Sequence, residues 1–248
     1  MKSNETNQTQ TFSSFIAPLR CASLKRTLAA TMLAGAAGIL CAALPAHATS
    51  VDTLVKDVKF DDVKGVTKDL ASGLDVNATD SSGAPLIVIA AREKSDKVAA
   101  MLAANPKTNL EAVDRAGENA LMMAALNGDM GLVKLLLSKN VAVNKQGWTP
   151  LHYAATNGHD DVVQLLIEHS AQVDAPSPNG TTPLMLAARG DHLSTIKLLL
   201  TNGAALNAKN QPGLTALDFA HIYRSPDAIK YLTEQGGQHT VPDGALKK

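Results

Sequence analysis

Thr149-Pro150-Leu151-His152-Tyr153-Ala154-Ala155 returns further along the chain as Thr182-Pro183-Leu184-Met185-Leu186-Ala187-Ala188. The same offset again reaches Thr215-Ala216-Leu217-Asp218-Phe219-Ala220. Upstream, Asn119-Ala120-Leu121-Met122-Met123-Ala124-Ala125 precedes Thr149 by slightly less than that offset. Ala84-Pro85-Leu86-Ile87-Val88-Ile89-Ala90 stands slightly more than one offset before Asn119. A period of this length marks a stack of small units, none of which can bury its apolar face alone.

The recurring residues have local reasons. Thr149 and Thr182 can cap a helix N-terminus, and Pro150 and Pro183 then fill the first helical position, where no N–H is required. Paired alanines let neighbouring helices approach closely. Behind each such helix lies a second apolar run at helical spacing: Leu132, Val133, Leu135, Leu136 and Leu137; then Val162, Val163, Leu165, Leu166 and Ile167; then Ile196, Leu198, Leu199 and Leu200. Gly158 lets the chain turn between the two helices of a unit, and Gly203, Asn140 and Asn105 offer a left-handed residue after a second helix.

The T-P-L-H-x-A-A pattern at this period resembles the ankyrin repeat, over roughly residues 51 to 236. The resemblance implies an all-α solenoid of helix-turn-helix units joined by short β-hairpin or loop fingers. A degenerate N-terminal cap is expected at 51–77, with repeats at about 80–114, 115–144, 145–176 and 177–209. A C-terminal repeat at 210–236 and a flexible, solvated tail at 237–248 complete the division.

The resemblance also implies a non-catalytic protein-binding module whose partner lies on the finger tips and first helices. The family's variable, concave-side positions fall here on Arg115, Glu118, Asn127, Gln146, Trp148, Thr156, Asn157, Asn179, Thr181, Arg189 and Tyr223. Related exported bacterial proteins are sometimes tied to oxidative-stress defence in the periplasm or to host interactions.

One finger breaks the pattern. Asn77 to Gly83, Asp174 to Gly180 and Asn207 to Gly213 each span 6 positions, but Asn144 to Gly147 spans 3. Directly after this clipped finger stands Trp148, the single tryptophan. It suits an interface anchor, and equally a ring that covers the gap left by the missing residues. The 80–114 repeat is looser, with a long Asn105–Asn109 link and Glu93-Lys94 in place of glycine-histidine.

Residues 1–48 have the layout of a secretory signal. Arg20, Lys25 and Arg26 precede the uncharged run from Thr27 to Leu44, and Ala46-His47-Ala48 offers a cleavage site, so export to a periplasm is expected. The run is too short and too dilute in strong hydrophobes for a membrane anchor. Lys2, Arg20, Lys25 and Arg26 would leave with Glu5, so the remainder has 19 basic and 22 acidic residues and a net charge of −3. That field does not attract nucleic acid. Cys21 and Cys41 would also leave, which excludes disulfides, a thiol nucleophile and a cysteine zinc site from the exported form.

Within the repeats, His152, His159 and His192 suit structural hydrogen bonds, and His169 and His221 show no tight ligand spacing with them. Asp160-Asp161 and Asp61-Asp62 are adjacent, so they point apart and suit helix starts. No phosphate loop or nucleophile elbow is present. The expectation is therefore a monomeric protein binder with no cofactor, no nucleic-acid partner and no membrane contact after cleavage. The alternative is a small-molecule, haem or metal binder or chaperone using groove His and Met side chains.

Overall fold

The computed structural model describes residues 50–241, which form twelve α-helices and no named strand. The signal assignment at 1–48 lies outside the described residues. The helices pair as α1 (Val51–Lys59) with α2 (Val63–Ala71), α3 (Leu86–Glu93) with α4 (Asp96–Ala104), and α5 (Ala120–Asn127) with α6 (Met130–Ser138). The series continues with α7 (Pro150–Asn157) and α8 (Asp160–Glu168), α9 (Pro183–Arg189) and α10 (Leu193–Thr201), and α11 (Ala216–Tyr223) and α12 (Pro226–Glu234). The degenerate first segment thus still folds as a helix pair.

Odd-numbered helices stack in one layer and even-numbered helices in a second. Two of the inner helices are apolar on all sides: every residue from Leu86 to Ala91 and from Ala120 to Ala125 is buried. The paired alanines at 90–91, 124–125, 154–155 and 187–188 are all buried, so helices on both sides can close on them. Among the described residues no helix is long and apolar enough to cross a membrane.

Glycine and histidine are paired across repeats. Gly128 and Gly158 end α5 and α7 in the left-handed region, with φ of 67° and 71°. A Cβ at either would stand 2.6 Å from the Nδ1 of His159 or His192 in the following repeat. Each ring then reaches a carbonyl of the preceding inner helix through Nε2, His159 at Leu126 O (3.0 Å) and His192 at Thr156 O (3.0 Å). At the equivalent turn Lys94 takes φ of 58° itself, and Asp129 stands at the N-cap where the next two repeats have histidine. Asn140 is left-handed as expected (φ 60°). Asn105 is not: it is extended (φ −73°, ψ 121°) because it begins the longer link to Asn109.

A second ladder ties the ends of successive repeats. The side chains of Asn77, Glu111, Asn144, Asp174 and Asn207 accept from the backbone N–H of Asn109 (2.7 Å), Ala142 (2.6 Å), Gln172 (2.8 Å), Ala205 (3.0 Å) and Gln238 (2.7 Å). Burial by itself would raise the Glu111 carboxyl, but hydrogen bonds from Lys145 Nζ and the Ala142 N–H hold it below its usual value.

The last rung corrects the expected tail. Gln238 takes the place that Ala205 holds after the preceding outer helix, and 237–241 fold back onto the final repeat. There Asp218 accepts from Thr240 N (2.9 Å), Thr240 Oγ1 (2.5 Å) and Val241 N (3.2 Å), with His239 Nδ1 at 2.6 Å. The solvated tail therefore cannot begin at 237; residues 242–248 lie outside the described residues.

Candidate protein-binding surface

The fingers and the C-terminal ends of the inner helices form one side of the stack. In its middle, Trp148 is half-buried, with its ring edge-on to His152 (centroids 5.2 Å apart, 78°) and to Tyr153 (6.4 Å, 68°). The Tyr153 hydroxyl donates to Glu118 Oε1 at 2.6 Å. Glu118 Oε2 lies 3.6 Å from Arg92 Nη2, and Arg92 also bonds Asp114. Burial, and then the bond to Glu118, push the Tyr153 phenol well above its ordinary range, so it remains a neutral donor. Arg92, Asp114, Glu118, Tyr153 and Trp148 thus form a continuous chain from α3 across the next finger to α7.

This chain gives the tryptophan a rigid seat. Edge-to-face aromatic contacts are worth about 0.5–1.5 kcal/mol beyond area burial. We expect Tyr153→Phe to lower stability by about 1–2 kcal/mol, since it removes one charge-assisted bond. A double-mutant cycle with Glu118→Gln in denaturant melts would detect the coupling; additive losses would show that the bond carries none.

A second aromatic patch lies on the last repeat. The Arg189 guanidinium stands 5.6 Å from the Tyr223 ring centroid, and Phe219 lies 6.2 Å from Tyr223. Ile222 and Tyr223 are exposed large apolar residues on the same turn of α11.

The residues expected to meet a partner differ in exposure. Arg115, Gln146, Asn157 and Tyr223 are exposed, and Glu118, Asn127, Trp148, Thr156, Asn179 and Arg189 are half-buried. Several are also bonded within the stack. Asn127 Nδ2 donates to Ala91 O (2.8 Å), and Asn157 Nδ2 to Leu126 O (2.8 Å). Thr156 Oγ1 donates to His152 O (2.8 Å), and Asn179 Oδ1 accepts within its own finger from Ser177 Oγ (2.6 Å). Thr181 requires a correction: its side chain is buried, and its carbonyl receives His152 Nε2 at 3.0 Å, so it cannot present itself to a partner.

A family model for ankyrin repeats, in sets of three copies, matches residues 86–177 and again 172–243, more than half of the chain. This chain belongs to the ankyrin-repeat family. No curated protein matches it closely enough to count as a relative. Ankyrin repeats generally mediate protein–protein interaction, and proteins built from them are typically not enzymes. The fingers of this ankyrin stack are turns and not a sheet; single bridges close two of them, Thr79 to Pro85 and Val113 to Asn119. Among the described residues no three His, Cys, Asp or Glu side chains gather as a metal site would need.

The slot pattern omitted Arg92 and Asp114, which anchor the network under Trp148. Arg92 ends one repeat's inner helix and Asp114 opens the next finger, with a whole outer helix between them in the chain. No helical or strand period links two such positions, so only the stacked structure brings them together.

Proposed function

We propose that this chain is a monomeric, non-catalytic module that is exported to a periplasm and there binds another protein on its finger and inner-helix face. The observation that carries the reading is the seat of Trp148. A half-exposed tryptophan on rigid neighbours loses little freedom on binding, which is the usual character of an interface hot spot. The Tyr223 and Arg189 patch extends the same face.

Two measurements test it. Fractionation and N-terminal sequencing should recover a protein beginning at Thr49 in the periplasm; retention of the uncleaved chain in the cytoplasm rejects export. Affinity capture from periplasmic extract should recover a protein whose retention falls by about tenfold or more with Trp148→Ala. Equal recovery by both forms would remove Trp148 from the interface.

A further inference from the structure

The clipped finger has lost more than length. In each full finger, the residue three positions before the glycine closes the loop on itself. Asp80 Oδ1 accepts from Ser82 N and Ala84 N (2.9 Å each), and Asp114 Oδ1 from Ala116 N (2.9 Å) and Glu118 N (3.1 Å). Ser177 Oγ accepts from Thr181 N (3.0 Å), and Asn210 Oδ1 from Leu214 N (2.8 Å). The backbone repeats the closure. Gly83, Gly117, Gly180 and Gly213 donate to that residue's carbonyl at 2.8–3.0 Å, and that residue's own N–H donates across the finger at 3.0 Å.

In the short finger the residue three before Gly147 is Asn144, and its amide is already committed. Nδ2 donates to Ser170 O and Oδ1 accepts from Gln172 N, both at 2.8 Å. Where the full fingers have two residues, one for the ladder and one for the loop, this finger has one. Among the described residues, no acceptor meets the backbone N–H of Lys145, Gln146, Gly147 or Trp148. Lys145, Gln146 and Gly147 border an open recess of roughly 350 Å³ lined also by Asn144, Gln172, Ala175 and Pro176. Lys145 lies along it with its ammonium 2.8 Å from Glu111 Oε2.

We infer that this notch takes a carboxylate from the protein partner, an aspartate side chain that supplies the acceptor the clipped finger lacks. The inference rests on the protein-binding reading above and gives that partner its chemistry. Asp80 and Asp114 show the geometry within the chain itself: one carboxylate oxygen takes the N–H groups on both sides of the glycine. Successive N–H groups beside a positive-φ residue (Gly147, φ 88°) form a concavity suited to an anion. An ionised acceptor is favoured over a neutral one because charge-assisted bonds are roughly twice as strong.

The test is amide NMR on the ¹⁵N-labelled full chain, titrated with N-acetyl-aspartate N-methylamide and then with its asparagine counterpart. The aspartate probe should give saturable shifts centred on Gln146, Gly147 and Trp148, with binding about tenfold weaker for the neutral probe. Replacing Lys145-Gln146 with the sequence of residues 112–116 restores a full finger with its own aspartate, and should abolish the response. Equal response to both probes, absence of saturation in the unaltered chain, or persistence in the restored finger would each overturn the inference. A partner captured through Trp148 without a carboxylate response would sink the notch and leave the protein-binding reading standing. A carboxylate response with no Trp148-dependent partner would do the reverse.

Discussion

Lowering the pH from 6.5 to about 4 is expected to remove roughly 3 kcal/mol of stability through His152 alone. The ring is fully buried at the third position of α7. Its Nδ1 accepts from Thr149 N (3.1 Å), and its Nε2 faces Thr181 O in the next finger (3.0 Å). Both bonds require the neutral tautomer with the proton on Nε2. A second proton would set an Nδ1–H against the Thr149 N–H. Burial pushes the imidazole down to about 4, and the Thr181 carbonyl only partly opposes this. The unfolded chain therefore takes up the proton first. Stability is full above the ordinary histidine value, falls as pH drops through the window, and changes no further below the folded value for this group. Denaturant unfolding monitored between pH 7.5 and 5 should show the slope in the unaltered protein and its loss in His152→Gln. An equal slope in both would assign the effect to other groups.

The same histidine shows what could be read in advance and what could not. The constant offset from Thr149 to Thr182 to Thr215, the Thr-Pro helix starts and the alanine pairs are local signals, and each of them marks a helix in the stack. The structural use of His152, His159 and His192 followed from their consensus positions. What those positions did not show is where each ring's second nitrogen goes, since its acceptor lies about one repeat away. The bonds that Asn127 and Asn157 make within the stack were hidden for the same reason. Their slots are variable in the family, but here each short amide reaches a carbonyl of the preceding repeat. The clipped finger was visible as a spacing of three. Its consequence, one asparagine serving where two residues are needed, required the bonds of the other four fingers for comparison.

Asp218→Asn is expected to destabilise the C-terminal end by roughly 3 kcal/mol, the scale for leaving several buried donors without their charged acceptor. Asp218 holds the helix position that His152 holds in α7. His152 donates to the next finger, but among the described residues the segment after the last repeat is 237–241. That segment presents donors, so the required residue is an acceptor. Asp218 is fully buried and takes Thr215 N (2.8 Å) and Thr215 Oγ1 (2.9 Å) in addition to the bonds from 239–241. Burial alone would raise its carboxyl, but the bonds from Thr240 and Thr215 outweigh that and hold it well below the usual carboxylate range. A depressed carboxylate stabilises fully above its unfolded value and is lost as pH falls towards the folded one. This contribution therefore survives the window in which His152 titrates and fails only in stronger acid. Asparagine keeps the shape, yet either orientation of its amide points an NH₂ at one of the two donor groups. Repeat stacks open from their ends. Hydrogen exchange should accordingly lose protection across α11, α12 and the 237–241 strap, while α5 to α8 remain as they were. Thr240→Val, which removes one donor and keeps the charge, should cost only about 1 kcal/mol. Unchanged protection at α11 in Asp218→Asn would show that the strap rests on the stack without securing it.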